Sequence, residues 1–177
     1  MKYITLLRGI NVSGQKKVKM ADLRTMCETM GYQNVQTYIQ SGNIVFEGAE
    51  EDTDWIAQSM HQKIQTTFGY DVSVMVRTED YWKEVAVNNP FLEANPDLEI
   101  KFLHVTFLAE VPTVDSIKAL QEVAAGTDEL AIINNRVYLY TPNGYGRTKL
   151  SNTTIEKKLQ VSATTRNWRT VSKLLEM

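Results

Sequence analysis

Apolar residues along the first half of the chain switch between two spacings. Residues 3–8, Tyr-Ile-Thr-Leu-Leu-Arg, form a dense strand-like run. From Ala21 to Met30 the apolar positions Leu23, Met26, Cys27 and Met30 recur at i, i+3, i+4 and i+7. That spacing predicts an amphipathic helix, and Gly31 supplies its stop. Two more strand-like runs, residues 35–40 and 43–47, flank Ser41-Gly42, a two-residue hairpin signal. Asp54 can cap a second helix whose core stripe is Ala57, Met60, Ile64 and Phe68, ending at Gly69. Residues 71–77 read as a fourth strand. The order is β-α-β-β-α-β, the split unit of ferredoxin-like folds.

The second half repeats that order less cleanly. Residues 80–88 have the pattern of a connecting helix, and residues 88–97, with Pro90 and Pro96, that of a loop. Residues 99–108 are a strong strand and 113–124 a helix. Residues 129–141 form a hairpin on Asn134-Asn135, residue types that tolerate positive φ. A polar helix is predicted over 148–159 and a short extended piece near 162–165. A last helix is capped by Asn167, with Trp168, Val171 and Leu175 on one face. The expected fold is therefore α+β: two ferredoxin-like βαββαβ halves packed together, with antiparallel sheets and helices. The N-terminal half spans 1–78 and a connecting helix and loop 79–98. The C-terminal half, with an extra helix, spans 99–177.

This topology places one polar loop. Strand one runs up, helix one down, strand two up and strand three down. The segment 8–19, Arg-Gly-Ile-Asn-Val-Ser-Gly-Gln-Lys-Lys-Val-Lys, should therefore lie at the same sheet end as the hairpin residues Gln40, Ser41, Gly42 and Asn43.

Charge sharpens that picture. The chain has 177 residues and a formal net charge of −2. Residues 1–40 hold six Lys and Arg against two acids, and residues 145–177 hold seven against two. The ends therefore carry +4 and +5, and the middle −11. The balance does not itself argue for nucleic-acid binding; the two ends are either a basic patch or scattered solvated charges. The first apolar run is too short for a signal peptide, and nothing approaches a membrane span. One cysteine excludes an internal disulfide framework, so the expected compartment is the cytoplasm.

The candidate chemistry is anion binding. Glycines in the 8–19 loop let backbone N–H groups approach a phosphate, and a helix N-terminus and lysines add positive charge. The spacing is not that of a P-loop, because Gly9 and Gly14 are followed by Gln15, and no dinucleotide fingerprint is present. The alternative is that the glycines serve only tight turns. Thr164, Thr165 and Asn167 offer polar groups at a helix start, and Arg166 offers a guanidinium fork. Lys149, Ser151 and Asn152 sit at another helix start, where capping is the competing account. His61 and His104 have no metal-ligand neighbours at ligating spacing. Cys27 shares the core face of its helix, and the acidic run 47–54 lacks an EF-hand pattern. No nucleophilic triad can be assembled. Strand three has one aromatic residue and no RNA-recognition pattern.

Four segments in this order, LLRGINVSGQKKVKMADLR, TYIQSGNIVF, TKLSNTTIEKKL and ATTRNW, resemble the bacterial family known as domain of unknown function 1697. The resemblance implies a compact protein of two ferredoxin-like halves in the bacterial cytoplasm. It brings no activity, substrate or cofactor. The matching segments contain Arg8, Gly9, Asn11, Lys19, Ser41, Gly42, Asn43, Lys149, Asn152, Thr165, Arg166, Asn167 and Trp168.

These readings converge on a protein that binds an anionic, phosphate-bearing ligand, either a small molecule or a nucleic-acid backbone. The expected ligand residues are Arg8, Gly9, Asn11, Lys19, Ser41, Asn43, Lys149, Asn152, Thr165 and Arg166. An enzyme acting on a phosphorylated or nucleotide substrate is the first alternative. A structural or oligomerising module without a ligand is the second. The sequence names no cofactor, no metal, no membrane partner and no oligomeric state.

Overall fold

A computed structural model describes residues 1–50, 52–123 and 126–177. The chain divides into two compact units. One comprises Met1–Val85 with Lys173–Met177, the other Ala86–Ser172.

In the first unit β1 (Lys2–Leu7), α1 (Met20–Thr29), β2 (Gln33–Tyr38), β3 (Asn43–Glu47), α2 (Thr53–Phe68) and β4 (Val74–Thr78) follow in turn, and α3 (Glu79–Val87) leads out. The strands pair antiparallel in the order β2-β3-β1-β4, as the split βαββαβ unit requires. Strand alternation sends Tyr3, Leu7, Ile44, Phe46 and Val76 to the face that meets Leu23, Met26 and Cys27 of α1 and Ile56, Met60 and Ile64 of α2. The alternate residues Ile4, Leu6 and Val45 are buried as well, which is why these strands read as unbroken apolar runs. Each such side chain stabilises the fold by roughly 1.5–3 kcal/mol. Cys27 lies in this core, its thiol pushed up to about 12 by burial and, secondarily, by Glu28, so it is not a nucleophile.

In the second unit α4 (Pro90–Ala94), β5 (Leu103–Leu108), α5 (Val114–Gln121), β6 (Glu129–Ile133), β7 (Arg136–Tyr140), α6 (Asn152–Leu159) and β8 (Ala163–Asn167) follow, with 3-10 turns at Ile100–Phe102 and Tyr145–Arg147, and α7 (Trp168–Glu176) begins there, its residues from Lys173 on being counted with the first. The strand order is β6-β7-β5-β8, again antiparallel. Leu108, Leu120, Val137, Leu139, Ile155, Leu159 and Ala163 form its helix-side core. The α+β class and the two similar halves are as the sequence indicated.

Local departures have local causes. The carboxylate that caps α2 is Asp52, not Asp54: its Oδ1 accepts from the amides of Asp54 (2.9 Å) and Trp55 (3.1 Å). Strand β2 starts two residues early through a bulge between Gln33 and Gln36, with Asn34 at φ 51°. It ends at Tyr38, so the turn to β3 is longer than a two-residue hairpin and holds Ile39 at φ 50°. The loop predicted around Pro90 contains α4, because Pro at its start tolerates the helix and Asn89 caps it. Ser151 caps α6, which begins later than predicted, and Leu174 is the fully buried residue of α7 in place of Leu175. Residue 124 of the predicted fifth-strand-following helix and Glu51 of the acidic run lie outside the described residues. Among the described residues, no helix is long and apolar enough to cross a membrane.

Candidate functional site

Strand β1 leaves its sheet under tight control. The Leu7 amide donates to the carbonyl of Gly42 (2.8 Å) and the Arg8 amide to that of Ser73 (3.0 Å), so the exit is pinned between the β2–β3 turn and the entrance to β4. The chain then curls, with Gly9, Asn11, Ser13, Gly14 and Lys16 all at positive φ. Bonds from the Asn11 amide to the Lys16 carbonyl (3.1 Å) and from the Gln15 amide to that of Val12 (2.9 Å) close a miniature hairpin on Ser13-Gly14. The predicted neighbourhood of 8–19 and 40–43 is present. Asn11 Nδ2 donates to the carbonyls of Val18 and Gln40 (2.9 Å each), and its Oδ1 accepts from the Val18 amide (2.9 Å).

Three expected ligand residues thus hold backbone or one another. Asn11 ties the loop to itself and to the turn. Asn43, fully buried, donates to Tyr38 O (3.0 Å) and to the Ser41 hydroxyl (2.9 Å). Gly42 sits between them at φ 77°, where a Cβ would lie 2.6 Å from Leu7 Cβ. Lys19 precedes α1 and makes no side-chain cap bond.

Beside the loop a pocket of about 600 Å³ opens, lined by Arg8, Gly9 and Lys16 from the loop, Gln58 and His61 from α2, and Asp71 and Ser73 ahead of β4. His61 Nδ1 lies 2.8 Å from the Val72 carbonyl. A carbonyl only accepts, so Nδ1 carries the hydrogen and a neutral ring has its lone pair on Nε2. That nitrogen is 3.7 Å from Asp71 Oδ1. Lys16 Nζ donates to the backbone carbonyl of Asp71. Two cationic side chains and one imidazole therefore converge on a hollow of small-molecule size. Among the described residues no cluster of His, Cys, Asp and Glu could hold a metal.

The C-terminal candidates are placed differently. Lys149 lines a separate hollow of about 490 Å³ with Ser151, Thr154, Lys157 and Lys158. Asn152, Thr165 and Thr106 form a directional chain. Thr106 Oγ1 meets Thr165 Oγ1 (2.8 Å), which donates to Asn152 Oδ1 (2.8 Å), while Asn152 Nδ2 donates to the Ala163 carbonyl (3.1 Å). Arg166 donates from Nη1 to the Thr165 carbonyl (2.9 Å), and burial lowers its pKa to about 10, which leaves it charged at neutral pH. His104 stacks on Tyr145 with centroids 4.5 Å apart.

Sequence reasoning missed His61, Asp71 and Ser73 as pocket residues. The available signal was a polar residue flanking the stripe of α2, followed by a glycine stop. Gly69 at φ 75° turns the chain so that Val72 returns alongside His61.

No curated protein matches this chain. It is similar to the solved structure of the conserved bacterial protein SP0830 from Streptococcus pneumoniae, with TM-score 0.75 and 22% identity over 99% of this chain and 97% of that one. At that identity the likeness shows the fold alone. The model of the family described as Protein of unknown function (DUF1697) matches residues 1–138, and the chain belongs to that family.

Proposed function

We propose that the pocket at the exit of β1 binds an anionic, phosphate-bearing small molecule. The observation that carries this reading is the convergence of Arg8, Lys16 and His61 on one hollow of about 600 Å³. Arg offers a planar fork and Lys a point charge to phosphate oxygens. A concave site of this volume favours a compact phosphorylated molecule over an extended nucleic-acid backbone. The reading assigns no reaction. It takes the protein to be bacterial and cytoplasmic, in keeping with its single buried thiol.

Thermal unfolding with inorganic phosphate, nucleoside monophosphates and sugar phosphates tests it. A ligand of the native state raises the melting temperature with concentration, and a hundredfold excess over Kd is worth about 2.7 kcal/mol. The rise is expected in wild type and lost in Arg8→Ala. Absence of any rise across these anions removes the reading.

A further inference from the structure

We infer that His61 makes this pocket select an anion that still carries a titratable proton, a phosphate monoester or inorganic phosphate, over anions that lack one. The inference rests on the anion-binding reading above and names the ligand class. The Val72 carbonyl holds Nδ1–H, so a neutral His61 offers the pocket a bare Nε2 lone pair. A lone pair repels an anion that can only accept hydrogen bonds, such as sulfate or a phosphodiester. A monohydrogen phosphate instead donates its O–H to Nε2 while its other oxygens accept from Arg8 and Lys16. One proton is shared between ring and phosphate, and no bond other than hydrogen bonds forms or breaks.

The groups facing Nε2 are few. The loop contributes Arg8 and Lys16, the segment ahead of β4 contributes Asp71 and uncharged Ser73, and α2 contributes uncharged Gln58. Among the described residues that line the pocket Asp71 carries the one negative charge, its Oδ1 3.7 Å from Nε2.

Calorimetric titration with sodium sulfate and sodium phosphate at about pH 8 tests the inference. Phosphate should bind about tenfold more tightly than sulfate, the factor a hydrogen bond to a charged group commonly supplies. His61→Asn keeps a donor placed for Val72 and removes Nε2. It should bind the two anions within about twofold of each other. Asp71→Asn should retain the preference for phosphate. Equal binding of sulfate and phosphate by wild type overturns the inference and leaves the anion site standing. A preference of the same size in His61→Asn also overturns it. Failure of both anions to bind removes the site itself.

Discussion

The two units build one scaffold and diverge where β1 and β5 leave their sheets. Their registers match around β1 and β5, while β2 carries a bulge that β6 lacks. Ile4 faces Arg77 and Val45 in the first sheet, as Val105 faces Arg166 and Tyr138 in the second. Arg77 donates from Nη1 to Val76 O at 2.9 Å, and Arg166 makes the same bond to Thr165 O at 2.9 Å. Thr78 and Asn167 each accept from an amide of the helix that follows. Even the exits of β1 and β5 match: Leu7 bonds Gly42 and Arg8 bonds Ser73, as Leu108 bonds Asn135 and Ala109 bonds Ser162. There the likeness ends. The first unit spends residues 9–18 on a curled loop, whereas the second reaches α5 through a few residues ending at Thr113. Arg8, with a pocket beside it, stands where the second unit has Ala109. Arg166 and its backbone bond have a counterpart in the other half, and the part that differs is where a ligand is proposed.

The sharpest way to break this comparison is at Gly42. Its counterpart Asn135 makes the same backbone bond with a side chain in place, at a position without positive φ. At Gly42 an added Cβ would lie 2.6 Å from Leu7 Cβ and 2.8 Å from Ile10 Cδ1, at φ 77°. Gly42→Ala should destabilise by about 2–4 kcal/mol, combining left-handed strain with overpacking. Asn135→Ala should cost about 1 kcal/mol or less. Urea unfolding measures both, and equal effects would deny that position 42 demands glycine.

Thr165 is next in expected size. The matched residue of the first sheet is Val76, and Thr5, matched to Thr106, reaches only Met60 Sδ at 3.8 Å. Thr165→Val makes the second unit like the first but strands Asn152 Oδ1 and the Thr106 hydroxyl, at a cost of about 1–3 kcal/mol. Adding Thr106→Val should recover part of that loss, since removing both partners spares an unsatisfied buried group. A double variant no more stable than the single would show that the chain is not coupled.

The two basic regions can be compared directly. Arg8→Ala should abolish the phosphate-induced rise in Tm, whatever it does to stability without ligand. Lys149→Ala, in the lysine-lined hollow of the second unit, should leave the rise intact. A loss in Lys149→Ala and not in Arg8→Ala would move the site to the other half.

Much of this scaffold was legible because burial wrote it into spacing. Leu23, Met26 and Cys27 mark α1, and β3 runs from Asn43 to Glu47 as its pattern indicates. The capping carboxylate of α2 was misplaced because Asp52 and Asp54 stand two residues apart, and composition does not choose between them. The site was legible only where it is local. Arg8 and Gly9 stand out as polar residues ending an apolar run. His61 and Asp71 meet across the end of a helix, and no periodicity reports such a contact. Asn11, Asn43, Asn152 and Thr165 were conspicuous as polar residues in a polar segment. Several of their partners are backbone carbonyls, which a string of side chains does not display.

The smallest effect expected concerns the register position that Tyr3 fills in the first unit and His104 in the second. Tyr3 stacks on Phe46, while His104 stacks on Tyr145. Burial lowers the pKa of His104, partly opposed by a hydrogen bond with the Phe102 backbone. A base whose folded pKa is depressed binds its proton more readily when unfolded. The stability it permits is therefore present above the unfolded value of about 6.5 and is lost as pH falls through it. His104→Tyr installs the residue of the first unit and removes this titration. Whatever the variant does to stability at pH 8, the slope of unfolding free energy between about pH 7 and pH 5 should be shallower than in wild type. An unchanged slope would assign the acid limb to other groups and strip position 104 of its part in it.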